Sequence, residues 1–141
     1  MIQFEKLRPE HLLYITPHRL ARERYEELLS PVFAQIITAS LGESAWYKNK
    51  CIAAAGVVRH WKGRGEVWFI AGRDAEPHTR AIVKRMRQML ERIDLHRIEF
   101  VVHDGDPKGE KLAKMLGFTD PRLMRKYSPT GEDCTMYVRV S

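Results

Sequence analysis

The chain has 141 residues, 44% of them hydrophobic and 30% charged, the proportions of a soluble globular domain with a real core. That composition excludes a collagen-like fibre, a coiled-coil rod and a disordered tail, and no apolar run approaches the ~20 residues of a membrane helix. Lys and Arg number 24 against 18 Asp and Glu, a net charge of +6. The excess is spread thinly with no basic tail, so it suits nucleic acid or an anionic small ligand equally.

The opening Met1-Ile2-Gln3-Phe4-Glu5-Lys6 has neither the basic nor the apolar region of a signal peptide, which points to the cytoplasm. Cys51 and Cys134 belong to no CxxC pair and are expected to be free, buried thiols without a metal. One continuous domain, 1–141, is expected.

In chain order, Ile2–Arg8 alternates as a first strand that Pro9 ends, and Glu10–Ile15 can form a short helix. Thr16-Pro17 and Ser30-Pro31 each read as a cap with proline in the first turn, opening helices over His18–Leu29 and Val32–Leu41. Gly42 reads as the stop of the second. Ala45–Lys50 predicts a short strand with Asn49 near a turn. Cys51–Trp61 and Glu66–Ala71 predict a hairpin turning at Lys62-Gly63-Arg64-Gly65.

Pro77 is expected to open the longest helix, to about Asp94, with Ile82, Met86, Met89 and Ile93 on its apolar face. Arg97–His103 reads as a central strand. Asp106-Pro107 starts a helix over Lys108–Leu116 that Gly117 stops. Arg122–Tyr127 and Cys134–Val140 are the last strands, around the loop Ser128-Pro129-Thr130-Gly131. The order is β, α, α, β, β, β, α, β, α, β, β, an α/β chain with one mixed sheet.

That order, with Lys111-Leu112-Ala113-Lys114-Met115-Leu116-Gly117-Phe118, resembles the GNAT superfamily of N-acetyltransferases. Their fourth helix typically ends in a Leu-Gly-Phe signature before the sixth strand. The resemblance implies an α/β fold of α+β character: a mixed, mostly antiparallel sheet of six to seven strands with helices on both faces. It also implies acetyl-CoA as co-substrate and an amine as acceptor, and no metal.

In such proteins the strands matching Glu66–Ala71 and Arg97–His103 run parallel and diverge at their C-terminal ends. Backbone groups of the first, here Phe69, Ile70 and Ala71, then pair with the pantetheine arm. The following helix start, an anion site by its free N–H groups and dipole, holds the pyrophosphate. Glu66 stands where several of these enzymes place the carboxylate that deprotonates the amine. Tyr127, in the predicted sixth strand, matches a general acid for the departing thiolate.

The chain departs from the pattern twice. The pyrophosphate stretch Gly72-Arg73-Asp74-Ala75-Glu76-Pro77-His78-Thr79-Arg80 has no glycine after Gly72, so Arg73, His78 and Arg80 would have to supply cations in place of backbone donors. Ala113 occupies the place of the family's frequent tyrosine acid, and Asp106 that of its asparagine. A fourth strand with Trp68 and a glycine-poor loop also resembles small GNAT-like proteins of tailed bacteriophages, some associated with the virion interior. The alternative is therefore a catalytically silent module that contacts nucleic acid, through Arg80, Lys84 and Arg87, or a virion protein. His103-Asp104-Gly105-Asp106 offers metal-like groups, but turn and cap duty account for it.

Overall fold

The computed structural model describes residues 1–15 and 41–141. Its elements are β1 (Gln3–Lys6), α1 (His11–Tyr14), β2 (Leu41–Tyr47), β3 (Lys50–Trp61), β4 (Arg64–Ala71), a 3-10 turn (Arg73–His78), α2 (Thr79–Arg92), β5 (Arg97–His103), α3 (Pro107–Met115), β6 (Thr119–Met124) and β7 (Cys134–Val140). The seven strands form one sheet in the order β1-β2-β3-β4-β5-β7-β6. It is mostly antiparallel, with β4 and β5 parallel. The helix expected over 18–29 lies outside the described residues, as does the one expected over Val32–Leu41 except for Leu41 itself.

The chain packs as two compact units, Met1–Val58 with Trp68–Lys84, and Arg59–Val67 with Arg85–Ser141. In the first, Cys51–Val57 is buried without a break, as a strand covered on both faces must be. Lys48 and Asn49 both have positive φ, the conformation a two-residue hairpin turn demands. Leu7, Leu12, Ile15, Cys51, Ala54 and Ile70 form the core, with Trp46 and Trp68 against it. Burial raises the Cys51 thiol to about 11, and both cysteines are buried and outside any disulfide.

Leu41-Gly42 is strand, not the end of a helix: Gly42 pairs with Gly56 across β2 and β3. The two glycines let these strands pack closely. A Cβ on Gly56 would lie 2.5 Å from the Leu41 carbonyl oxygen, 2.9 Å from the Gly42 Cα and 2.8 Å from the Trp68 ring. Two of those neighbours are backbone and cannot swing aside. Gly56→Ala is therefore expected to destabilise the fold by about 3 kcal/mol, a fall in melting temperature of roughly 10 °C. Gly42→Ala, whose Cβ first meets the Leu7 side chain at 3.0 Å, should cost less. Thermal unfolding of the two variants checks the order.

In the second unit, the Asp106 carboxylate accepts from the Gly109 N–H at 3.0 Å and Pro107 opens α3. Gly117, at φ +87°, ends it. The Gly117 N–H donates to the Lys114 carbonyl and the Phe118 N–H to the Ala113 carbonyl, which turns Phe118 back into the core edge-to-face on Phe100. The Leu-Gly-Phe signature is thus a helix stop and its anchor. Ala113 is fully buried, so no reactive side chain occupies that point.

Several boundaries differ from expectation: the strand expected over Ala45–Lys50 is Leu41–Tyr47, and β4 begins at Arg64, inside the expected turn. The long helix α2 begins at Thr79 because Arg73–His78 winds as a 3-10 turn around Pro77, and it stops at Arg92. Strand β6 is Thr119–Met124 rather than Arg122–Tyr127. It is an edge strand whose register breaks between Thr119 and Arg122, and such an edge tolerates Pro121. Among the described residues no helix is long and apolar enough to cross a membrane.

Candidate functional site

Parallel β4 and β5 put Glu66 opposite Glu99, so both carboxylates rise from the same face of the sheet. Ile98 and Phe100, on the opposite face of β5, are buried. Glu99 is 3% exposed and accepts from Arg64, Nε at 3.1 Å and Nη2 at 2.6 Å, and from Arg97 Nε at 2.7 Å. Burial acts to raise its pKa, but the bonds from Arg64 and Arg97 outweigh it and hold the carboxyl below its ordinary range. Glu99 is therefore a fixed anion already committed to two guanidinium groups.

Glu66 is different. Its side chain is about one third exposed and faces His60 Nε2 at 3.5 Å, leaving carboxylate lone pairs for another donor. Tyr127 is not in β6 but three residues beyond its end, half-exposed, in the loop before β7. Its N–H donates to the Glu132 carbonyl at 2.9 Å, and the Glu132 N–H returns to Ser128 Oγ at 2.9 Å, so the loop is built rather than loose. Partial burial, then the charges of Glu66, Glu99 and Cys134, raise the phenol above its ordinary range. Glu66 and Tyr127, far apart in sequence, lie in the same unit, and the negative charge of Glu66 adds to the burial that raises the phenol.

The residues expected to hold the co-substrate lie in the other unit. Ile70 is buried in the core there and Phe69 and Ala71 are partly buried, so any ligand contact at Ile70 is through backbone. The β4–β5 register ends at Val67↔Phe100, while β4 runs on to Ala71 and β5 to His103. Arg73 and Arg80 are exposed, and the His78 ring lies 4.3 Å from that of Tyr47. Asp74, which would repel a phosphate, is paired with Lys50 at 2.5 Å. The Thr79 N–H and hydroxyl both donate to the Glu76 carbonyl, so at least one donor at this helix start is spent internally. Of the cations suggested for nucleic acid, Arg87 is engaged: its guanidinium Nε donates to the Met115 carbonyl at 2.7 Å.

Sequence reasoning missed Glu99, Arg64, Arg97 and His60. The available signal was a lone acid in the apolar run Ile98-Glu99-Phe100-Val101-Val102, which a buried strand keeps only if it is paired.

No protein-family model matches the chain, and no curated protein matches it in sequence. Solved structures do match. The probable acetyltransferase from Staphylococcus epidermidis ATCC 12228 superposes with a TM-score of 0.77 at 10% identity, over 100% of this chain and 99% of that one. The N-acetyltransferase from Staphylococcus aureus Mu50 gives 0.75 at 11%, over 99% and 97%. The GNAT-family acetyltransferase from Bacillus anthracis gives 0.72 at 10%, over 99% and 94%. The chain has the GNAT acetyltransferase fold.

Proposed function

We propose that the protein transfers an acyl group, acetyl in the simplest case, from acyl-CoA to an amine. The observation that carries this reading is the fold shared with solved acetyltransferases, on whose β4 Glu66 keeps a partly exposed carboxylate. A thioester is attacked only by the neutral amine, so a base must take a proton. Glu66, directly or through one water, is that base. The amine nitrogen bonds to the acyl carbon, the carbon–sulfur bond breaks, and Tyr127 gives its proton to the departing thiolate. Glu99 stays ionised between its arginines and orients Arg64 and Arg97 without entering the proton transfer.

The co-substrate side of the proposal assigns backbone groups of Phe69, Ile70 and Ala71 to the pantetheine arm, and Arg73, His78 and Arg80 to the pyrophosphate. Pairing of Asp74 with Lys50 supports this by lowering the local negative charge. Calorimetry with acetyl-CoA tests it. Arg80→Glu, a charge reversal in the first turn of α2, should weaken binding by about 2 kcal/mol, or about 30-fold. Absence of acetyl-CoA binding by the wild type overturns the proposal.

One observation favours a second reading. The expected anion turn is a 3-10 segment with internally used donors, which suits a catalytically silent module, cellular or phage-encoded. Wild-type binding of acetyl-CoA without thiol release on any amine would select it.

A further inference from the structure

The end of β3, the turn and the start of β4 carry five residues that the acyl-transfer reading does not use as a group: Arg59, His60, Trp61, Lys62 and Arg64. Beside the turn is a pocket of about 470 Å³ lined by Arg59, Trp61, Lys62, Gly63, Asp94 and His96, a volume in the range of small-ligand sites. Two permanent cations and an imidazole face a single carboxylate, so the pocket favours an anion. Among the described residues neither Arg59 nor Lys62 has an ion-pair partner.

Its aromatic member is held in place but open. Trp61 is 60% exposed, an unusual state for the largest apolar side chain. The Arg64 guanidinium lies 4.3 Å from its ring centroid and is itself fixed by buried Glu99. A chain of contacts from the core therefore braces the indole while leaving much of it to solvent. The floor is equally fixed. Gly63, at φ +94°, approaches the His96 ring so closely that a Cβ would sit 2.6 Å from it, and its carbonyl accepts from the Arg97 N–H at 2.9 Å.

We propose that this hairpin tip binds a nucleotide, its base stacked on Trp61 and its phosphate held by Arg59 and Lys62. A flat, braced aromatic next to cations without ion-pair partners is the arrangement that takes up a base and its phosphate without reading sequence. The ligand is a nucleotide of a single strand or a free one, since both present the same base and phosphate. The site is independent of acyl transfer and stands if that reading fails.

Fluorescence anisotropy of a short labelled oligothymidylate near physiological salt tests it, with adenosine monophosphate as competitor. The wild type should bind the strand, and Trp61→Ala should weaken binding about ten-fold or more. Trp61→Phe should retain most of the affinity. Lys62→Gln should reduce the salt dependence by about one counterion. Circular dichroism confirms that these exposed substitutions leave the fold intact. Displacement of the strand by the mononucleotide supports the site with a free nucleotide as ligand; strand binding without displacement supports it with a polymer. Failure of both probes to bind, undiminished binding by Trp61→Ala, or equal affinity for a duplex whose bases cannot stack overturns the proposal.

Discussion

Glu66→Gln is expected to lower the rate of CoA thiol release by about 10²–10⁴-fold, the usual contribution of a positioned base, while leaving acetyl-CoA affinity unchanged. The substitution preserves the shape of the side chain beside His60 but removes the carboxylate proposed to take the amine proton. A wild-type rate profile should rise with pH as the amine is deprotonated, and the variant should recover part of its loss at high pH, where the amine needs no base. Tyr127→Phe should reduce the rate by a smaller factor. Since the phenol is held above its ordinary range by partial burial and nearby negative charge, it remains an acid throughout the neutral range. A thiol reagent follows the reaction, with a panel of primary amines as acceptors. An undiminished rate in Glu66→Gln removes Glu66 from the mechanism.

Glu99→Gln should destabilise the protein by about 3 kcal/mol, roughly 10 °C in melting temperature. The reason is asymmetric: Arg64 and Arg97 keep their charges but lose the only anion the described residues give both of them. The pH dependence carries the same signature. A carboxyl depressed in the folded state contributes its stability above the unfolded value, roughly 4.3. That contribution is lost as pH falls through the lower folded value. Urea unfolding should therefore show the wild type losing part of its advantage over the variant as pH falls below about 4. Equal stability at neutral pH would show that the arginines find solvent instead.

What was legible in the sequence was what local chemistry decides. Asp106-Pro107 and Gly117 bound a helix because cap and stop depend on neighbouring residues only, and the hairpin turn expected over Lys62–Gly65 is equally local, tightening to Lys62-Gly63 with Arg64 and Gly65 already in β4. The expected parallel pairing of Arg97–His103 with the strand before α2 is observed. Leu41-Gly42 was misread because its spacing continues a helical stripe, whereas its strand state depends on Gly56, fourteen positions away in the pairing of β2 with β3. Tyr127 was extrapolated into a strand that an irregular register displaces toward Thr119. Glu99 was invisible as a network because Arg64 lies 35 residues upstream. The roles of Glu66 and Tyr127 came from resemblance; the fold shows only that both lie in the same unit.

The insertion of β7 between β5 and β6 has a consequence for how the chain is made. A ribosome delivers β5 and β6 first, and neither can pair with the other, because the strand that joins them is synthesised last. Until Cys134–Val140 emerges, both expose backbone edges of the kind that recruit foreign strands. Closure then requires β7 to pair antiparallel with both neighbours: with β6 across a short loop, and with β5 across a longer separation, the slower of the two steps. A chaperone holding those edges until β7 pairs would raise the yield of folded protein.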